Sequence, residues 1–163
     1  MRTVGIITSS DQGSKGLRVD ESGELIKKMV EEKGYQVVKQ VIVSDDLPLL
    51  RDAMIDMADA LKCQLILTTG GTGFSKRDNT PEATLQIIER SCPGIVEAMR
   101  WISFQKTPKA MLSRAVSGIR GDSIIVNLPG SPKAVKECLE VILEPLSHGV
   151  DILLGDANEC ASK

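Results

Sequence analysis

One stretch constrains this chain more than any other. Residues 65–84 read Leu-Ile-Leu-Thr-Thr-Gly-Gly-Thr-Gly-Phe-Ser-Lys-Arg-Asp-Asn-Thr-Pro-Glu-Ala-Thr. The segment begins apolar, turns glycine-rich, gathers charge at Lys76, Arg77 and Asp78, and ends in a helix start. That order predicts a strand, a loop of bare backbone amides and a helix N-terminus. Glycine admits φ > 0 and close approach of a ligand to the backbone. Successive amides in such a loop form a concave anion site. Thr80-Pro81-Glu82 predicts an N-cap, a proline at the first helical position and an acid in the first turn. Phosphate is the natural guest. Asp78 would repel it unless a cation lies between, and Mg²⁺ uses one or two carboxylates together with substrate phosphates.

Two familiar phosphate motifs do not apply. The P-loop requires G-x-x-x-x-G-K-S/T, and no Lys-Ser or Lys-Thr follows a glycine here. The dinucleotide fingerprint G-x-G-x-x-G fails at Lys76. The plain alternative is a tight turn between strand and helix.

The 163 residues suit one domain with a core of its own. Twenty basic against 22 acidic residues, with one Trp, one Tyr and two Phe, argue against a nucleic-acid or membrane-surface protein. Cys63, Cys92, Cys138 and Cys160 show no C-x-x-C spacing and are expected to be small hydrophobes in a reducing cytoplasm. No apolar run nears membrane-spanning length. Met1 leads straight into strand, so no targeting leader is expected.

Along the chain, residues 3–8 form a doubly apolar strand, as in a buried parallel sheet. Residues 9–16 form a polar glycine loop, and 20–33 a helix with Leu25, Ile26, Met29 and Val30 inward and Gly34 as its stop. Gln36–Val43 is a second strand. A helix over 48–61 turns Leu50, Met54, Met57 and Leu61 inward. Residues 64–68 are the third strand. The helix entered at Thr80 carries Leu85, Ile87 and Ile88 and ends near Cys92-Pro93-Gly94. Amphipathic residues 95–104 and a short helix over 108–114 follow. Residues 116–119 and Ser123–Leu128 make a hairpin around Arg120-Gly121-Asp122. The last helix spans 133–143 and is interrupted at Pro145. Residues 1–155 form a single domain and 156–163 a tail.

This alternation predicts an α/β fold, a three-layer α/β/α arrangement with a mostly parallel mixed sheet. Ligands of such sheets bind beyond the carboxyl ends of the strands. The unusual residues fall there: 9–13, 44–46, 69–78 and 127–131. Asp11, Asp45, Asp46 and Asp78 are the carboxylates of this rim. Asp46 precedes a helix and reads first as its cap. Asp45 reads equally as cap or ligand. For Asp78 the functional reading leads, because Thr80 already supplies the cap. The lone His148 lies on a late helix as a surface residue, and neither a zinc cluster nor a nucleophile elbow is present. Amides, hydroxyls and carboxylates without a base suit phosphoryl or nucleotidyl transfer. An attacking phosphate is already anionic at pH 7 and needs no general base.

Residues 68–84 also resemble the TTGGTG-x-x-x-RD-x-TPEAT signature of the molybdenum-cofactor biosynthesis family of MogA/MoaB type. Residues 127–134 resemble its NLPG-x-P signature, and 8–13 its S-x-SDR loop. The likeness covers roughly residues 2–155. It implies molybdopterin adenylyltransferase activity, with ATP and molybdopterin as substrates, Mg²⁺ assisting and pyrophosphate leaving. It implies catalytic roles for Asp45 and Asp78, which would also be the Mg²⁺ ligands, and a homotrimer that hands its product to a molybdate-insertion enzyme. By the same likeness, Thr69, Gly70, Gly71, Thr72, Gly73 and Ser75 belong to the phosphate loop. Ser10, Asp11, Asn127, Leu128, Pro129, Gly130 and Ser131 belong to the nucleotide and pterin pockets. Two departures stand out. The family's Arg after Asp11 is Gln12, and residues 16–20, Gly-Leu-Arg-Val-Asp, match G-x-Y-x-D only loosely. The competing readings are a non-catalytic molybdopterin carrier and a nucleotide pyrophosphatase on the related competence-protein fold.

Overall fold

The computed structural model describes residues 1–156. In chain order the elements are β1 (Thr3–Ser9), α1 (Asp11–Ser14), α2 (Glu21–Glu32), β2 (Gln36–Val43) and α3 (Leu47–Ile55) with a π turn (Asp56–Ala60). Then come β3 (Leu65–Thr69), α4 (Thr80–Leu85), β4 (Arg90–Ser91) and α5 (Pro93–Phe104). A 3-10 turn (Pro108–Leu112), β5 (Ser117–Arg120), β6 (Ser123–Leu128) and α6 (Pro132–Leu153) complete it. The six strands form one sheet in the order β2-β1-β3-β6-β5-β4. The first four are parallel, and β5 and β4 are antiparallel additions. The expected three-layer α/β/α fold is the one observed.

Both faces of the central strands are apolar because both are covered. Val4, Ile6, Leu65, Leu67, Ile124 and Val126 face α2, α5 and α6, meeting Ile26, Val30, Val96, Met99 and Leu139. The alternate residues Ile7, Ile66 and Ile125 face α3 and α4, meeting Leu50, Met54, Met57 and Ala83. The period-2 alternation of a strand thus fills two cores at once. Parallel register sets Thr8 beside Thr69 and Thr68 beside Asn127. The strands therefore end together, and their following loops share one rim.

Several element expectations are corrected. The loop over 9–16 contains α1, capped by Ser10, whose Oγ accepts from the Gly13 amide at 2.9 Å. Leu61 does not point inward. The π turn adds a residue to the helical period, closing Leu61 N–H onto the Asp56 carbonyl at 3.0 Å and leaving Leu61 exposed. The helix after Thr80 stops at Leu85, which is exposed, while Ile87 is buried in the core and Ile88 packs against it, partly buried. Beyond it the chain extends into β4, too short and exposed to show a period in sequence. Residues 108–114 give only a 3-10 turn. Pro145 does not interrupt α6. A proline inside a helix costs about 3 kcal/mol. Buried Leu139, Ile142, Leu143, Leu146 and Val150 on either side, at roughly 1.5–3 kcal/mol each, outweigh it. Cys63 and Cys138 are buried free thiols and Cys92 is partly so. Cys160 and nearly all of the expected tail fall outside the described residues.

One polar side chain ties the rim's end of the sheet together. Asn127 is fully buried on β6. Its amide donates to Thr68 Oγ1 at 3.0 Å and Thr84 Oγ1 at 2.9 Å, and its Oδ1 accepts from the Val116 amide at 3.1 Å. Each orphaned buried partner costs about 1–3 kcal/mol. Asn127→Ala is expected to lower unfolding free energy by about 2–5 kcal/mol in urea titration. A loss below about 1 kcal/mol would show the tie to be dispensable.

Candidate functional site

The rim holds a cleft of about 590 Å³. Its walls come from the ends of β1 and β3, the start of α2, the turn before α6, and the side chains of Asp45 and Asp78. The sharpest constraint in it is the Gly70–Gly71 pair. Both residues lie in the left-handed region, at φ +88° and +69°. A Cβ on Gly70 would stand 2.6 Å from the Ser9 carbonyl oxygen, and one on Gly71 would collide with Thr80 Oγ1. Only glycine lets the chain double back so close over β1. The turn is fixed from outside. Thr80 Oγ1 donates to the Gly70 carbonyl at 3.0 Å, the Thr80 amide to the Gly71 carbonyl at 3.2 Å, and Thr69 Oγ1 to the Pro129 carbonyl at 2.6 Å.

Thr80 therefore does not cap its helix as expected. It is the first residue of α4, Asn79 occupies the cap position, and no side-chain cap bond forms. The Asn79 side-chain amide instead donates to the Asp45 carbonyl at 2.8 Å. That bond joins the loop after β2 to the loop after β3. Asp46, read as a helix cap, sits at the cap position without a cap hydrogen bond. It accepts from Ser44 Oγ at 2.8 Å and from Arg77.

Asp45 is held by the end of β1. Its carboxylate accepts from Ser9 Oγ and, at 2.9 Å, from the Asp11 amide, while the Asp45 amide donates to Asp11 Oδ1 at 2.9 Å. Asp78 folds back on its own loop, accepting the Ser75 amide at 2.9 Å through Oδ2. Both carboxylates face the same cleft. Among the described residues no group of three or more His, Cys, Asp or Glu could cage a metal. Two hard oxygen donors in a cleft roomy enough for a polyphosphate do fit Mg²⁺, which keeps water and borrows substrate phosphates.

Of the residues singled out from sequence, Ser10, Asp45, Thr69, Gly70, Gly71, Asp78, Gly130 and Ser131 line the cleft. Thr72, Gly73 and Ser75 lie beyond it in the loop. Asn127 and Leu128 are buried beneath the rim, and Pro129 contributes its carbonyl to Thr69. Asp11 stands behind Asp45. His148 is on α6, exposed and remote from the cleft.

Two arginines with no role expected from sequence hold the loop. Arg77 forks onto Asp11, through Nε at 3.0 Å and Nη2 at 2.8 Å, and reaches Asp46 Oδ1 at 2.9 Å. Arg114, just past the 3-10 turn, spans the loop's two ends. It donates to the Gly73 carbonyl at 2.7 Å and the Asp78 carbonyl at 2.8 Å, and pairs with Glu82. Its own amide donates to the Thr72 carbonyl at 2.9 Å. The charge run at 76–78 signals Arg77; nothing local signals Arg114, which arrives from 36 residues beyond Asp78.

The sequence profile of the family described as "Probable molybdopterin binding domain" matches residues 5–148. This chain belongs to the molybdopterin-binding domain family. Among relatives of this domain, the molybdopterin adenylyltransferase of Helicobacter pylori (strain ATCC 700392 / 26695) is 41% identical over 155 residues, covering 94% of this chain and 88% of that one. The molybdopterin adenylyltransferase of Escherichia coli (strain K12) is 37% identical over 154 residues, covering 90% and 78%. The crystal structure of the molybdopterin biosynthesis enzyme MoaB from Thermus thermophilus matches with a TM-score of 0.89 at 42% identity, covering 95% of this chain and 98% of that one. The family match thus takes in all four rim loops and the sheet apart from the first two residues of β1.

The Arg77 hydrogen bonds hold the Asp11 carboxyl at about 2, below its ordinary 3.8, with the Asp45 amide assisting. A depressed folded-state value means that this contribution to stability is complete above the ordinary value and is lost as pH falls through about 2. Arg77→Ala is expected to return the Asp11 carboxyl toward 3.8 in an NMR titration. A carboxyl still titrating near 2 in that variant would remove Arg77 as the cause.

Proposed function

We propose that this chain is a molybdopterin adenylyltransferase, transferring AMP from ATP to the terminal phosphate of molybdopterin and releasing pyrophosphate. The observation that carries the reading is a single cleft in which the Gly70–Gly71 turn, Asp45 and Asp78 converge. The relatives at 37–41% identity that bear this name support it.

The chemistry asks little of the side chains beyond placement. A phosphate oxygen of molybdopterin attacks the α-phosphorus of ATP. The new P–O bond forms as the bond to the β-phosphate bridging oxygen breaks, and pyrophosphate carries that electron pair away. The nucleophile is anionic at neutral pH, so the remoteness of His148 costs nothing. What the protein supplies is position and charge balance. Amides of the Thr69–Gly71 turn would face phosphate oxygens, and the Gly130–Ser131 turn, lying against the Gly70 backbone, extends the same wall. Asp45 and Asp78 would hold Mg²⁺, which supplies neutralisation of polyphosphate charge. Asp45 is oriented for that task by Ser9 and the Asp11 amide, and Asp78 by the Ser75 amide.

We read residues 1–155 as one domain, supported by the single continuous sheet. The homotrimer of this reading rests on the family resemblance; the exposed Trp101, Phe104, Met111 and Leu112 on α5 and the adjoining 3-10 turn support association between copies, without fixing their number. Hand-over of the product to a molybdate-insertion enzyme is part of this reading and rests on the family resemblance. A cytoplasmic setting is supported by the free thiols of Cys63, Cys92 and Cys138. Among the described residues no helix is long and apolar enough to cross a membrane.

The test is pyrophosphate release from ATP with molybdopterin and Mg²⁺. The native protein should turn over, and Asp78→Asn should lose on the order of 10²-fold or more in kcat while keeping its fold. Pterin binding without an adenylylated product would instead mark a carrier. ATP hydrolysis with no pterin present would mark a pyrophosphatase.

A further inference from the structure

The charge balance of the cleft is uneven. Asp20, Glu21, Asp45 and Asp78 all line it, and among the described residues Arg18 is the one Lys or Arg that does so. A polyphosphate entering this wall meets four carboxylates. Three of them are partly occupied by protein donors, Asp78 by the Ser75 amide at 2.9 Å. Asp45 takes Ser9 and the Asp11 amide; Asp20 takes Thr8 Oγ1 at 2.8 Å and the Gly23 amide at 2.9 Å.

The other arginines of the rim are committed. Arg77 is spent on Asp11 and Asp46, and Arg114 on two loop carbonyls and Glu82. Arg18 differs. It lies on the segment joining α1 to α2, is exposed, and among the described residues makes no hydrogen bond or ion pair. Its segment is anchored at both ends. The Leu17 amide donates to the Gln12 carbonyl at 2.9 Å, and Asp20 is tied to β1 through Thr8. The guanidinium is therefore delivered to the cleft on a short tether with its five N–H donors uncommitted. A planar fork of that kind matches phosphate oxygens in bidentate fashion.

The sequence departures point the same way. Gln12 stands where the family pattern has Arg, and Arg18 stands where G-x-Y-x-D has Tyr. Gln12 is exposed and does not line the cleft. The chain carries its cation six residues later, on the cleft wall.

Resting on the adenylyltransferase reading, we propose that Arg18 is a substrate-binding residue that grips a phosphate group in this cleft. That phosphate belongs either to the ATP polyphosphate or to the pterin, and kinetics separate the two. Arg18→Ala should raise KM for one substrate about tenfold or more, as loss of a charge-assisted bond does, with a smaller effect on kcat. A raised KM for ATP assigns the grip to the nucleotide, and a raised KM for molybdopterin to the pterin phosphate. Arg18→Lys should recover part of the loss, because a point charge replaces a fork. The melting temperature should stay within about 2 °C of the native value, since the side chain has no protein partner to lose. KM values for both substrates within about twofold of native would overturn the proposal.

Inorganic tripolyphosphate with Mg²⁺, titrated calorimetrically into the native protein and Arg18→Ala, isolates this inference from the activity. If the native protein makes no adenylylated product, the adenylyltransferase reading fails. The titration, repeated with molybdopterin as the ligand, then still decides Arg18: weaker binding of either ligand in the variant sustains the grip, and equal binding of both overturns it.

Discussion

The approach of the Gly70 backbone to the Ser9 carbonyl is the contact on which the rest of the rim depends. The parallel pairing of β1 with β3 brings Thr8 beside Thr69, so the two chains leave the sheet side by side. Without a side chain at Gly70, the loop after β3 can turn across the end of β1 rather than away from it. Ser9 then spans two functions. Its backbone bounds the glycine turn, and its hydroxyl donates to Asp45. A bulkier turn would separate the loop amides from the carboxylate of the neighbouring strand, and the proposed phosphate site would not assemble.

Around that contact the protein uses two arginines to hold other protein groups rather than ligand. Arg77 and Arg114 stand where a phosphate-binding arginine would be sought, yet both are consumed by protein acceptors. Arg77 joins the loops after β1, β2 and β3 through Asp11 and Asp46. Arg114 closes the long loop between Thr72 and Glu82. The site is left rich in oriented amides and carboxylates and poor in free cations. Such a site discriminates for a ligand that arrives with its own counter-charge, as a nucleotide with a divalent cation does.

Much of this is legible in the chain itself. The glycine-rich run after an apolar strand announces the turn, and the alternation of β-rich and amphipathic segments announces a doubly covered sheet. What sequence does not convey is which polar groups answer one another. Thr80 reads as a cap because threonine before proline and glutamate is a strong local signal. The nearby Gly70 carbonyl, reached only through the folded turn, claims its hydroxyl instead. Asn127 reads as a pocket residue because it opens a motif, but its side chain is sealed among Thr68, Thr84 and Val116. Arg114 carries no local pattern, since its partners lie on a different segment. Pro145 and Leu61 depart from expectation for a related reason: core burial and a π turn override the helical period that local sequence implies.

The central claim is that Asp45 and Asp78, brought to one cleft by different strands, together seat a metal-bound triphosphate. A crystal grown with a non-hydrolysable ATP analogue and Mn²⁺, read by anomalous scattering, tests it directly. One Mn²⁺ peak is expected in the cleft, contacted by both carboxylates directly or through water, with phosphate oxygens against the Gly70–Gly71 amides. A nucleotide bound elsewhere, or a metal that ignores both aspartates, would contradict it.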